Sequence, residues 1–370
     1  MPSAGVVGAA QSNDSASSGG AVIPFEFATT TYADIASNGS VTFTLGTTQQ
    51  QFNNNKVPAL GFMRGIRYEV TSTGGSGGTG SADWPWNIFV SLEFDGTNGA
   101  PIFNPMPGYE WYQWAKWFRP WMGDPTKRQN FSNNVTTPSF TLFHQNEVRR
   151  TLGTLRNTDA RSQYTFKFTT NTLANTLTSG TSPTFTLNPY RELYLENAAE
   201  DLEKNAQEQL PIGLNGQVQT EICNPTSGGA NSSLKYYNTN TGNYQRGNIL
   251  IFRDSNNARQ DFFAGNFIFQ QDNTQLISAP FSELVSQMND FYDQLAAGLW
   301  VRDTGTVVLP RFWNPGAEKG MGWLGTSAAT QQYAQFQVSS GATNVPGVIE
   351  FITDEVYPVA DGIPQELMDL

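Results

Sequence analysis

The feature that most constrains this chain is an alternation with period two that is repeatedly cut short. Val41, Phe43 and Leu45 alternate with threonines, Tyr164, Phe166 and Phe168 with Thr165 and Lys167, and Phe185 and Leu187 flank Thr186. Successive side chains of a strand point to opposite faces, so each run reads as a strand half buried against a core. The runs stop within a few residues at clusters of Gly, Pro, Asn or Ser, and the chain holds 35 Gly and 20 Pro in 370 residues. Turns that frequent favour short strands stacked in sandwiches over long helices. Further segments of this kind are Val22 to Phe27, Phe62 to Thr71, Asn87 to Phe94, Gln217 to Ile222, Asn248 to Arg253, Phe262 to Gln270, Thr306 to Phe312, Tyr333 to Val338 and Val348 to Val356.

Three stretches carry a helical period instead. Tyr109 to Phe118 places Trp111, Trp114, Trp117 and Phe118 at helical spacing, after a proline-rich loop around Pro101, Pro105 and Pro107. Arg191 to Leu210 repeats Leu195, Ala199, Leu202, Ala206 and Leu210 among acidic residues and is closed by Pro211. From about Pro280 to Trp300, Phe281, Leu284, Val285, Met288, Phe291 and Leu295 share a face opposite Glu283, Asp290 and Asp293. Trp111, Trp114, Trp117 and Phe291 are therefore the candidate core or subunit-contact residues, because large aromatic side chains are mostly buried.

The chain exceeds twice the length of a common ~150-residue domain, so two domains are expected. Residues 1–20, small and nearly uncharged, read as a flexible arm; 21–190 as a first sandwich; 191–215 as a helix and joint; 216–360 as a second sandwich; 361–370 as an acidic tail. The net charge is −11, with no basic run to track a phosphate backbone, which argues against direct nucleic-acid binding. The single cysteine, Cys223, forms no intrachain disulfide; with no basic, apolar leader at the start, folding in a cytoplasm is expected. No run of about 18 apolar residues offers a membrane span.

The search for chemistry is negative. Gly75-Ser-Gly-Gly-Thr-Gly80 matches the dinucleotide fingerprint in letters, but Asp83-Trp-Pro-Trp86 and a strand follow it instead of a helix, so it reads as a plain flexible loop. His144 is the only histidine, with no nucleophile elbow to serve it, and reads as structural. Cys223 alone builds no metal cluster, and Asp254-Ser-Asn-Asn-Ala258 lacks the rest of a calcium loop. Glu196, Glu200, Glu203, Asp354 and Glu355 keep a β-rich glycosidase open, since that chemistry needs only two carboxyl groups. No cofactor, metal or catalytic residue is expected.

Two β-rich halves, each with a helical insertion, together with a small-residue arm, resemble the double jelly-roll major capsid proteins of tailless icosahedral viruses, the lineage of tectiviral bacteriophages and adenovirus. The local echo is Gln209-Leu-Pro-Ile-Gly-Leu-Asn-Gly216, similar to a Q-L-P-[VI]-G-x-N-G stretch of a tectiviral coat subunit. The resemblance implies an all-β fold of two eight-stranded jelly rolls with short helical insertions, covering about Ala21 to Pro358. It also implies homotrimers of six rolls in a nearly hexagonal block, contacts with neighbouring capsomers and with vertex and minor capsid proteins, and a place in the virion. In that family the shell often encloses a membrane; residues 1–20, without basic charge or an amphipathic stripe, are a poor lipid anchor. The rival expectation is a β-sandwich that binds glycans through exposed aromatics such as Trp84, Trp86 or Trp111.

Overall fold

The computed structural model describes residues 22–23, 32–37, 39–118, 137–146, 154–194, 207–208, 216–223, 233–238, 244–261, 263–295, 302–310, 324–326, 329, 331–338 and 348–356. The first half contains β1 (Val22–Ile23), β2 (Tyr32–Ser37), β3 (Val41–Thr44), β4 (Gln51–Lys56), β5 (Phe62–Thr73), β6 (Phe89–Asp95), β7 (Pro101–Met106), helix α1 (Gly108–Phe118), β8 (Phe140–Gln145), β9 (Leu155–Arg156), β10 (Thr165–Thr170), α2 (Leu173–Thr176) and β11 (Thr184–Tyr194). The second contains β12 (Gln207–Glu208), β13 (Gly216–Cys223), β14 (Ser233–Asn238), β15 (Tyr244–Arg253), β16 (Phe263–Gln271), β17 (Thr274–Pro280), α3 (Phe281–Leu295), β18 (Thr306–Pro310), β19 (Leu324–Gly325), β20 (Gln332–Val338) and β21 (Val348–Val356).

In the first half β2 and β3 both pair with β11 and act as one first strand. The main strands then form two sheets, β3-β11-β5-β8 and β4-β10-β6-β7, which in chain order read first, eighth, third, sixth and second, seventh, fourth, fifth. The second half repeats that order in β13-β21-β15-β18 and β14-β20-β16-β17. This is the jelly roll, built twice. The rolls share a sheet: β7, fifth strand of the first, runs parallel beside β13, first strand of the second, at Phe103 and Val218, and nine strands become continuous.

The alternation read from sequence holds where one face is wet. In β10, Phe166, Phe168 and Thr170 are buried while Thr165, Lys167 and Thr169 are half-buried. In β15 and β21 both faces are covered, and the sequence there is a continuous apolar run, Ile249-Leu-Ile-Phe252. Leu250 and Phe252 belong to the second roll's core, with Phe267, Phe269 and Phe336. Ile249 and Ile251 point the other way and join the aromatic core of the first roll.

The structure departs from the sequence reading at several places. Arg191 to Tyr194, expected as the start of a helix, complete β11, opposite Ile66 to Phe62 of β5; Gln207–Glu208 pairs in parallel with Val22–Ile23. The first roll thus reaches Tyr194, and residues 195–206 lie outside the described residues, as do the arm, the tail and most of the Gln209 to Gly216 echo. At Arg191 to Tyr194 pairing with β2 and β5 outweighs the intrinsic helix preference, which is weak; the periodic Leu195, Ala199, Leu202, Ala206 and Leu210 lie outside the described residues. The proline-rich loop is partly strand: Pro101 opens β7, and β7 touches β13 at one register position, so missing proline donors cost little. The glycine-rich loop is anchored, by bridges Ser76 to Thr181 and Gly80 to Leu177, and Gly180 lies so close to Gly77 that any side chain there would overlap its carbonyl. Among the described residues, no helix is long and apolar enough to cross a membrane.

Candidate functional site

The seam between the rolls is built around α1. The helix follows β7 by one residue, with Trp111 N–H donating to the Pro107 carbonyl at 3.1 Å, Glu110 in its first turn and Lys116 in its last, matching the helix dipole. All eleven residues are buried. One side packs on the first roll: the Trp111 Nε1–H donates to the Phe143 carbonyl at 3.3 Å, and Phe103 and Trp111 enclose the His144 ring at 3.4 and 5.2 Å between centroids. The other side lies over the second roll, where a side chain at Gly247 would overlap the Phe118 ring. Trp111, Trp114 and Trp117 are thus buried within one chain. Phe291 lies in α3, and its side chain is outside the described residues.

Charged groups meet at the end of α1. Arg253, the last residue of β15, gives Nη1 to Asp83 at 2.6 Å, Nη2 to Glu110 at 3.2 Å and Nε to Glu350 at 2.9 Å. Asp83 and Glu110 come from the first roll, and Arg253 and Glu350 from the second. Arg259 adds a 2.9 Å pair to Asp83, and its guanidinium sits 4.7 Å from the Tyr109 ring centroid. On the same helix Lys116 lies 3.4 Å from Asp303, which also accepts from Gln113.

Burial works against the Arg253 charge, and the carboxylates of Glu350, Asp83 and Glu110 more than offset it, holding the guanidinium above the ordinary arginine range. Burial, and then the neighbouring Glu110, push the Glu350 carboxyl well above the usual glutamate range. Asp83 is also raised, by burial, against the pull of Arg253 and Arg259. The arrangement clamps two bodies together.

The other candidates are placed elsewhere. Trp84, Trp86 and Trp111, expected as exposed platforms in the glycan reading, are 2%, 6% and 0% exposed, because each packs inside the first roll. Asp354 and Glu355 lie buried within β21, Asp354 paired with Arg246 at 3.2 Å. Glu196, Glu200 and Glu203 lie outside the described residues. Asp254 Oδ1 accepts the N–H groups of Asn256 and Ala258, which caps a turn. Cys223 ends β13, with its side chain outside the described residues. Among the described residues no three His, Cys, Asp or Glu side chains gather to hold a metal ion.

Sequence reasoning missed the charged clamp, although a signal existed. Glu110 stands alone inside Tyr-Glu-Trp-Tyr, Arg253 closes Ile-Leu-Ile-Phe, and Glu350 interrupts Val-Ile-Glu-Phe-Ile. A lone charge within an apolar run is almost never fully buried unless paired.

No family model matches the sequence, and no curated protein does. Solved structures do. The major capsid protein of Sulfolobus turreted icosahedral virus aligns with 86% of this chain and 97% of its own at 11% identity and a TM-score of 0.58. A chain from the atomic structure of that virus aligns with 91% of this chain and 96% of its own, at 12% identity and a TM-score of 0.60. A chain of the PBCV-1 virus capsid covers 88% of this one and 94% of its own at 11% identity, with a TM-score of 0.56. Strand order and these likenesses agree on the class of fold: this chain is a double jelly roll.

Proposed function

We propose that this chain is the structural subunit of an icosahedral virus capsid. The observation that carries the reading is the fusion of two complete jelly rolls of identical strand order through one continuous sheet, with a tryptophan-rich helix buried between them. A rigid two-roll block suits tiling and brings no reaction with it. The similar structures come from virus capsids and from a turreted icosahedral virus. On this reading the subunit forms homotrimers whose six rolls make a nearly hexagonal block. The blocks contact each other and vertex and minor proteins, in a shell with or without a membrane beneath it. The subunit folds in the host cytoplasm, acts in the virion and catalyses nothing.

Size-exclusion chromatography with light scattering tests the reading. A trimer mass, with hexagonal outlines in negative-stain micrographs, is expected; a protein that stays monomeric at all concentrations overturns it. The glycan-binding alternative has lost the three tryptophans on which it stood.

A further inference from the structure

We propose that the outer face of the sheet β14-β20-β16-β17 carries a binding site for a glycan with an acidic sugar: Lys235 holds the sugar carboxylate, Tyr237 covers the face of a ring, and the amides of Gln335, Gln337 and Asn266 take its hydroxyls. The site lies on the subunit's own surface, uses none of the buried tryptophans and does not depend on how copies assemble.

Charge sets this sheet apart from the rest of the chain. The net charge of the molecule is −11, yet no acidic residue occurs between Glu221 and Asp254 or between Glu318 and Glu350. Within the four strands Lys235 is the only charged residue of either sign. It is exposed, and among the described residues no carboxylate pairs with it. Two tyrosine rings hold it instead, its Nζ lying 3.5 Å from the Tyr333 centroid and 4.9 Å from that of Tyr237. Ring faces attract an ammonium group without neutralising it, which leaves N–H donors for an anion. One fixed cation suits a single carboxylate, whereas a phosphate backbone needs a row of them.

Ser233, Lys235 and Tyr237 follow one another along the exposed face of β14, a run of about 14 Å at strand spacing. β20 sets Gln337, Gln335 and Tyr333 opposite them in that order. Tyr333 is fixed by its hydroxyl, which donates to Gln270 Oε1 at 2.5 Å. Tyr237, 5.9 Å away between centroids, is 46% exposed and offers its ring to the outside.

At the Ser233 end the sheet opens. Ala264 and Ile268 of β16 face Gln337 and Gln335 of β20, so four steps on one strand match two on the other, and Gly265 to Phe267 bulge out of that ladder. The result is an open depression of about 460 Å3 lined by Ser233, Gly265, Asn266, Gln335, Phe336 and Gln337. Gly265 has φ +65°, a conformation that favours glycine, and any side chain there would press on the Gln337 amide. Gln335 donates to Ser233 Oγ at 3.1 Å, while Gln337 and Asn266 are exposed and make no hydrogen bond among the described residues. Each such amide offers an acceptor and donors together, as a sugar hydroxyl does, and an exposed tyrosine covers the apolar C–H face of a sugar ring.

Calorimetric titration of the purified protein with sialyllactose, trigalacturonate and lactose decides it. At least one of the two acidic oligosaccharides should bind, with an affinity that falls as salt is added, and neutral lactose should bind about tenfold or more weakly. Lys235→Gln and Tyr237→Ala should each weaken the acidic ligand about tenfold or more while keeping the parent's thermal midpoint, and Lys235→Arg should bind like the parent. Failure of both acidic ligands to bind, equal binding of lactose, or binding that survives either of the first two substitutions overturns the site. Displacement by sodium acetate as effective as displacement by the oligosaccharide itself overturns it too, because the lysine would then hold a lone anion and no sugar.

Discussion

Arg253 is where the two rolls are tied, and its substitution tests whether the tie carries stability. Arg253→Ala leaves Asp83, Glu110 and Glu350 buried without their shared cation, and breaking such a set by removing one partner costs about 3–5 kcal/mol. Urea unfolding should show a lower midpoint. The raised Glu350 carboxyl gives the same clamp a pH dependence. Its carboxyl binds a proton more tightly folded than unfolded, where the ordinary value is 4.5. That contribution is therefore fully present below about 4.5 and is lost as pH rises towards the raised folded value. Glu350→Gln should flatten the thermal stability profile across this window; an unchanged slope would mean the proton sits elsewhere. Trp114→Ala, at a fully buried ring, should cost about 3–5 kcal/mol. Tyr237→Ala, at a ring 46% exposed, should cost under about 0.5 kcal/mol in the isolated subunit. The tryptophan spacing was legible in the sequence because burial and helical period coincide there. The clamp was not, because pairing between residues more than a hundred positions apart leaves only a stray charge in an apolar run.

At the scale of elements, the sequence spoke clearly where a face is buried and was silent where it is not. β4, Gln-Phe-Asn-Asn-Asn-Lys, and β17, Thr-Gln-Leu-Ile-Ser-Ala-Pro, sit at sheet edges with largely exposed side chains, so nothing forces their apolar residues to alternate. In β11, Pro189 is tolerated opposite Tyr68 and the strand continues to Tyr194. α3 was legible from its stripe: Phe281, Leu284 and Met288 are buried, while Ser282, Glu283 and Gln287 are exposed. In the sequence Phe291 follows Met288 by three positions, the spacing expected of one helical face. Met288→Ala should cost about 2–5 kcal/mol and Phe291→Ala about 3–5 kcal/mol, read from denaturant midpoints, whereas Asp290→Ala should cost under about 0.5 kcal/mol. If Phe291→Ala unfolds like the parent, the stripe ends at Met288.

The whole molecule is two rolls by topology and one body by packing. The far face of β15, β21 and β18 presents Ile249, Ile251, Ile352 and Val308, and these join the first roll's core beneath α1. A helix supplied by the first half thus covers a sheet made by the second, and the strand pair β7–β13 and the charges around Arg253 cross the same boundary. Separated from the first half, the second would expose that apolar face together with Arg253 and Glu350 bereft of partners, a patch of the kind soluble monomers rarely carry. Splitting the chain between Tyr194 and Gln207 tests this. Fragments 1–200 and 201–370 expressed together should associate and sediment as one species, because the seam buries the same surfaces with or without the connecting peptide. Fragment 201–370 expressed alone should aggregate or bind a hydrophobic dye strongly. A soluble, cooperatively unfolding 201–370 monomer would show that the second roll is an independent domain and that α1 is only an ornament on its surface.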